Sequence, residues 1–217
     1  MSTEEFSTTT GVYQSSRSNL AERVLDAWKD MRRSTRRLIA EQPSEARLLF
    51  YVMLSDIVFF LSWSIKTAVA PTEGASDKIP AEIGLWLIAA LFVRTAVMYL
   101  FSGAVWLSLK LFGGKGSWKD TRAGLFWGAV VSAPFGLLAA IVTVMMSLFE
   151  PSFPVLKEPW VALPPYWIGL IPFTWFISAG VAEANGFRSV SLIFMSMSVL
   201  AIVAVVMGMY LRATGVI

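Results

Sequence analysis

Residues Gly113 to Gly136 read GGKGSWKDTRAGLFWGAVVSAPFG, a charged glycine turn that runs directly into an apolar segment. Gly124, Gly128, Ser132 and Gly136 recur every four residues, so on a helix they form one stripe without bulky side chains, against which a second backbone can lie closely. Ser117, three residues before Asp120, marks the helix start. Its hydroxyl accepts a bond from an orphan amide, and Asp120 adds negative charge to the first turn. The stretch therefore predicts a turn followed by a long packing helix, with Pro134 as an expected kink beside the stripe.

Outward from this helix the composition sets the class. Of 217 residues 56% are hydrophobic and 15% charged, too few polar groups to cover a water-soluble surface, so the chain is read as a membrane protein. It holds no cysteine and no histidine, which excludes disulfides, thiol nucleophiles, imidazole bases and the commonest zinc and haem ligands. No metal site and no cofactor is expected. A net charge of +3, without a basic aromatic-rich segment, gives no sign of nucleic-acid binding.

Five apolar stretches are long enough for a hydrocarbon core that takes roughly 20 helical residues. They fall at 48–69, 83–112, 121–149, 163–182 and 190–211. The expected fold is all-α: an integral membrane bundle of five transmembrane helices (43–217), preceded by a tail (1–18) and a basic amphipathic helix (19–42). In that helix Leu20, Val24, Trp28, Met31, Leu38 and Ile39 recur at helical spacing, while Arg32, Arg33, Arg36 and Arg37 lie mostly elsewhere on the wheel. Two readings stand beside each other. Either the helix lies on an anionic membrane surface, each basic residue contributing about 1 kcal/mol, or it is a positive flank that sets topology. Lys115 and Lys119 in the turn carry the same alternatives, lipid phosphate or water.

Lysine and arginine are unevenly shared between the connections. Eight precede the first stretch, four more (Lys110, Lys115, Lys119, Arg122) surround the turn, and the other side has only Lys66, Lys78, Lys157 and Arg212. The positive-inside rule then places the N-terminus and the turn in the cytoplasm and the C-terminus on the opposite, periplasmic side.

Two ionisable residues lie inside the apolar stretches, Asp56 in the first and Arg94 in the second, each costing roughly 2.5–3.5 kcal/mol on insertion scales if left alone. Counted along their helices their depths nearly coincide, so an interhelical Asp56–Arg94 pair is expected. Such a pair is either part of an ion path or a pin that fixes the register of two helices. The pin is preferred, because transporters usually carry several such groups on discontinuous helices. The turn lacks the spacing of a phosphate-binding loop. No serine–histidine or paired-carboxylate arrangement is present, so an enzyme is not expected.

Arg36-Arg37-Leu38 ahead of Pro43, and above all Gly113-Gly114-Lys115-Gly116-Ser117-Trp118 followed by Arg122, Leu125-Phe126-Trp127 and Pro134, resemble the bacterial, alphaproteobacterial branch of the Yip-domain family of five-span membrane proteins. The likeness runs from about Met31 to Leu211. It implies a multi-pass protein that binds other proteins or shapes membrane, with no catalytic residue to carry over. The Asp-Leu-Tyr-Gly-Pro motif of eukaryotic members is missing, so no GTPase partnership is carried over with it. The expected role is a scaffold, assembly factor or accessory subunit of a larger complex in the bacterial inner membrane. Other integral membrane proteins and anionic lipids are the expected partners, and a homo-oligomer is a further option. The alternative is a small transporter or channel that uses Asp56 and Arg94.

Overall fold

The computed structural model describes residues 19–69, 84–85, 87–162 and 164–214, and the described residues are helical and contain no strand. The seven principal helices are α1 (Leu20–Lys29), α2 (Met31–Ala40), α3 (Glu45–Val69), α4 (Leu87–Leu111), α5 (Trp118–Phe149), α6 (Pro164–Ala184) and α7 (Val190–Ala213). Of these α3, α4, α5 and α6 are long and apolar enough to cross a membrane; α7 contributes a shorter described apolar stretch, Val190–Val203. The tail before residue 19 and the acidic connection carrying Glu73, Asp77, Lys78 and Glu82 lie outside the described residues.

Helix α5 is the axis, packed against α3, α4 and α6 and against both N-terminal helices. Every residue from Thr121 to Ser132 is buried. A helix apolar all round is stable only when neighbours enclose it, and here two of its glycines let one neighbour approach to backbone contact. The helix starts as the sequence predicts. The Asp120 N–H donates to Ser117 Oγ, and the Ser117 N–H donates back to Asp120 Oδ2, both at 3.1 Å.

The turn before α5 is held by its own backbone. Gly113 has a φ of +84°, a conformation that favours glycine. The Gly114 N–H donates to the Leu109 carbonyl at 2.8 Å and the Lys115 N–H to the Asn185 carbonyl at 3.1 Å, while Trp106 Nε1–H donates to the Gly116 carbonyl at 3.2 Å. A side chain at Gly116 would fall onto the Ala184 carbonyl. The glycines thus let the turn dock on the end of α6, and the amides of Gly114 and Lys115 are committed within the protein.

The single amphipathic helix expected over 19–42 is two helices. Asp30 adopts an extended conformation (φ −150°, ψ 91°) that ends α1, and its carboxylate accepts the Arg33 N–H at 2.9 Å to begin α2, as a capping aspartate does. The apolar face of the pair is turned onto the bundle. Ala27, Met31 and Leu38 are buried in the same core as Leu125, Phe126, Trp127 and Val131. Trp28 Nε1–H reaches the Val131 carbonyl at 2.9 Å, adjacent to the carbonyl that Pro134 leaves without its usual donor. The apolar face of this hairpin covers the first half of α5.

Candidate functional site

The small-residue stripe splits into two halves with different surroundings. A Cβ placed on Gly124 would lie 2.5 Å from the Gly180 carbonyl oxygen, and one on Gly128 would lie 2.8 Å from backbone atoms of Phe176 and Ile177. These glycines seat α6 directly on α5. Ser132 is buried, its hydroxyl turned back to the Ala129 carbonyl at 2.9 Å. Gly136, at the end of the stripe, has open space where its Cβ would be.

That open space belongs to a cavity of about 540 Å³ between α3, α4, α5 and α6, extending from Ser55 and Arg94 to Lys66 and Tyr166. At one end of it Arg94 forms an ion pair with Asp56, which is fully buried on α3. The second Asp56 oxygen accepts Thr95 Oγ1–H at 2.6 Å, Arg94 Nη1 donates to Ser55 Oγ at 3.3 Å, and the guanidinium stands 4.7 Å from the centre of the Phe59 ring. Arg94 closes a five-residue π-helical stretch, Ala90–Arg94, that leads into the remainder of α4. Such a bulge resets the helical phase, and it precedes the adjacent residues Arg94 and Thr95 that both address one carboxylate. Burying a charge in a low-dielectric interior is tolerable only with this degree of pairing.

On the hairpin side the basic residues are divided. Arg32 Nε and Arg36 Nε each donate to Glu183, at 2.8 and 2.7 Å, and Arg32 also donates to the carbonyls of Phe187 and Arg188. Arg37 faces Glu41 at 3.5 Å, and Arg33 and Lys115 are exposed while Lys119 is half-buried. Arg32 and Arg36 thus clamp α2 to the end of α6. For Arg36 the hydrogen bond to Glu183 is the main influence and raises its pKa. Burial works to raise the pKa of Glu41, but hydrogen bonds from Arg23 and Arg47 outweigh it and hold the carboxyl below its ordinary value.

Several of these partners carry no sequence signal. Glu183, the Arg122–Glu45 pair at 2.7 Å, and Asn185, whose amide bonds Thr121 Oγ1 at 3.1 Å and the Val181 carbonyl at 3.0 Å, join positions far apart in the chain. A carboxylate near an apolar helix end, as at Glu183, is the one trace that composition leaves of such a contact.

A family model described as the Yip1 domain matches residues 25–210, from within α1 to near the end of α7. No curated protein and no solved structure matches the chain.

Proposed function

This chain belongs to the Yip1 domain family, and from that premise we propose that it is a non-catalytic scaffold or accessory subunit of a larger complex in a bacterial inner membrane. The observation that carries this reading is where its surfaces point. Groups that suggested chemistry are consumed by contacts inside the fold, whereas α4 and α7 turn long apolar faces outward: Leu100 and Leu107 on one, Leu192, Met195, Val199 and Val206 on the other are all exposed. Within a bilayer such faces meet lipid or other membrane helices. In this reading α7 forms a fifth crossing, and the hairpin with the Gly113 turn faces the cytoplasm, a placement that the lysine and arginine distribution supports. The test is a photo-crosslinking residue at Val199, with one at buried Val131 as control, in cells expressing the protein at native level. A discrete partner band from Val199 alone supports the role, and lipid adducts alone contradict it.

A second reading, transport through the Asp56–Arg94 site, is favoured by one observation, the cavity that ends at Arg94. Flux measured in liposomes with Asp56→Asn separates the two. A folded variant that loses a flux the wild type shows would make the pair part of a path.

A further inference from the structure

We propose that the cavity between α3, α4, α5 and α6 binds one hydrocarbon chain of a singly charged anionic phospholipid, with the phosphate held at Lys66. The assignment follows from how the walls spend their polar groups. Ser55, Ser62, Ser132 and Thr143 all line the cavity, yet each hydroxyl donates to a carbonyl of its own helix, at Val52, Val58, Ala129 and Ala139, at 2.8–2.9 Å. Their protons are withheld from the space, so the wall suits hydrocarbon better than water or a sugar.

The charges fix which end of the guest goes where. Arg94, at one end, is neutralised by Asp56. Lys66, one turn from the end of α3 away from the hairpin, has no carboxylate partner among the described residues, and its ammonium stands 4.1 Å from the centre of the Tyr166 ring. A positive charge with no carboxylate partner among the described residues, at one end of an apolar cavity, matches one negative charge on an amphiphile. From Ser55 to Lys66 the helical rise gives a depth of roughly 16 Å, and a volume of about 540 Å³ lies within the usual range of small-molecule sites. The inference does not depend on the accessory role, and it stands or falls separately from it.

The experiment is native mass spectrometry of the purified, delipidated full chain titrated with phosphatidylglycerol, phosphatidylcholine or soluble glycerol 3-phosphate, with thermal unfolding of every variant read in parallel. The expected result is retention of phosphatidylglycerol over phosphatidylcholine by about five- to tenfold, the contribution of one basic residue near a membrane surface, and no retention of glycerol 3-phosphate. Lys66→Gln lowers phosphatidylglycerol to the phosphatidylcholine level. Gly136→Leu, whose side chain enters open space, removes both lipids; should it fail to fold, the Lys66→Gln comparison decides alone. Equal retention of the two lipids by the wild type, a folded Gly136→Leu that keeps phosphatidylglycerol, or binding of glycerol 3-phosphate as strong as that of the lipid would each overturn the proposal, the last by making the site one for a free anion.

Discussion

Replacing Gly124 by alanine sets two physical effects of opposite sign against each other. In an open helix the change is favourable by up to about 1 kcal/mol, because glycine loses more backbone entropy on folding. At this position the new methyl would lie 2.5 Å from the Gly180 carbonyl oxygen and 2.7 Å from its carbon. Since 3.4 Å is where ordinary contact begins, α5 and α6 must part by roughly 0.9 Å, a gap that forfeits a quarter to a half of the dispersion energy at each contact opened. Overpacking of this kind costs typically 1–3 kcal/mol, so the clash outweighs the propensity gain and the net change is destabilising by up to about 2 kcal/mol. Gly136→Ala supplies the control, because nothing lies within 4 Å of its Cβ position; there the propensity gain is unopposed. Thermal unfolding in one detergent, followed by tryptophan fluorescence, is expected to order the proteins Gly136→Ala at or above wild type and Gly124→Ala several degrees below it. If Gly124→Ala melts at or above the wild-type temperature, direct backbone contact between α5 and α6 is refuted.

Gly128→Leu places a larger group against the Phe176 and Ile177 backbone, and should unfold at a still lower temperature than Gly124→Ala in the same assay. Asp56→Asn leaves the Arg94 charge without its counter-ion, which for a buried pair costs roughly 3–5 kcal/mol. Asp56→Leu combined with Arg94→Met should recover most of that stability, and a double variant no better than Asp56→Asn would contradict the register-pin role. Glu183→Gln weakens both arginine contacts of α2, so limited trypsin digestion should cut after Arg32 and Arg36 faster than in the wild type, at unchanged cutting after Lys115. The Glu41 carboxyl is held below its ordinary value of 4.5, so it binds protons more weakly folded than unfolded. Its contribution is therefore complete above about pH 4.5 and is lost as pH falls through the lower folded value. Wild-type stability measured from pH 6 downward should decline more steeply in that acid window than that of Glu41→Gln.

Local patterns carried much of this fold in the sequence. The spacing of Gly124 and Gly128 announces close helix packing, and Ser117 with Asp120 announces the start of α5. The depth count along α3 and α4 places Asp56 and Arg94 at one level, where the structure pairs them. What the sequence withheld depends on partners distant in the chain. The stripe does not say that α6 would be the helix it meets, or that its last member, Gly136, would face a cavity instead of a backbone. Arg32 and Arg36 look like a solvated basic face until Glu183, about 150 positions away, is brought beside them. The break at Asp30 had a legible signal, a capping residue followed by a fresh helical turn. The apolar period continues across it, because both short helices cover the same face of α5, and that continuity hides the break. Lys66 carried the least signal of all, since only the assembled walls reveal that the hydroxyls lining the same cavity are turned back onto their own helices.

We propose that this Yip1-domain protein works by holding other membrane proteins. The most direct measurement is its isolation at native expression level in a mild detergent, with the size of the particle and its protein content determined together. The expected result is a particle larger than the lone chain, containing a defined partner in fixed proportion that is lost when Val199 and Val206 on α7 are replaced by lysine. A monomer that carries no partner and conducts ions after reconstitution into liposomes would contradict it.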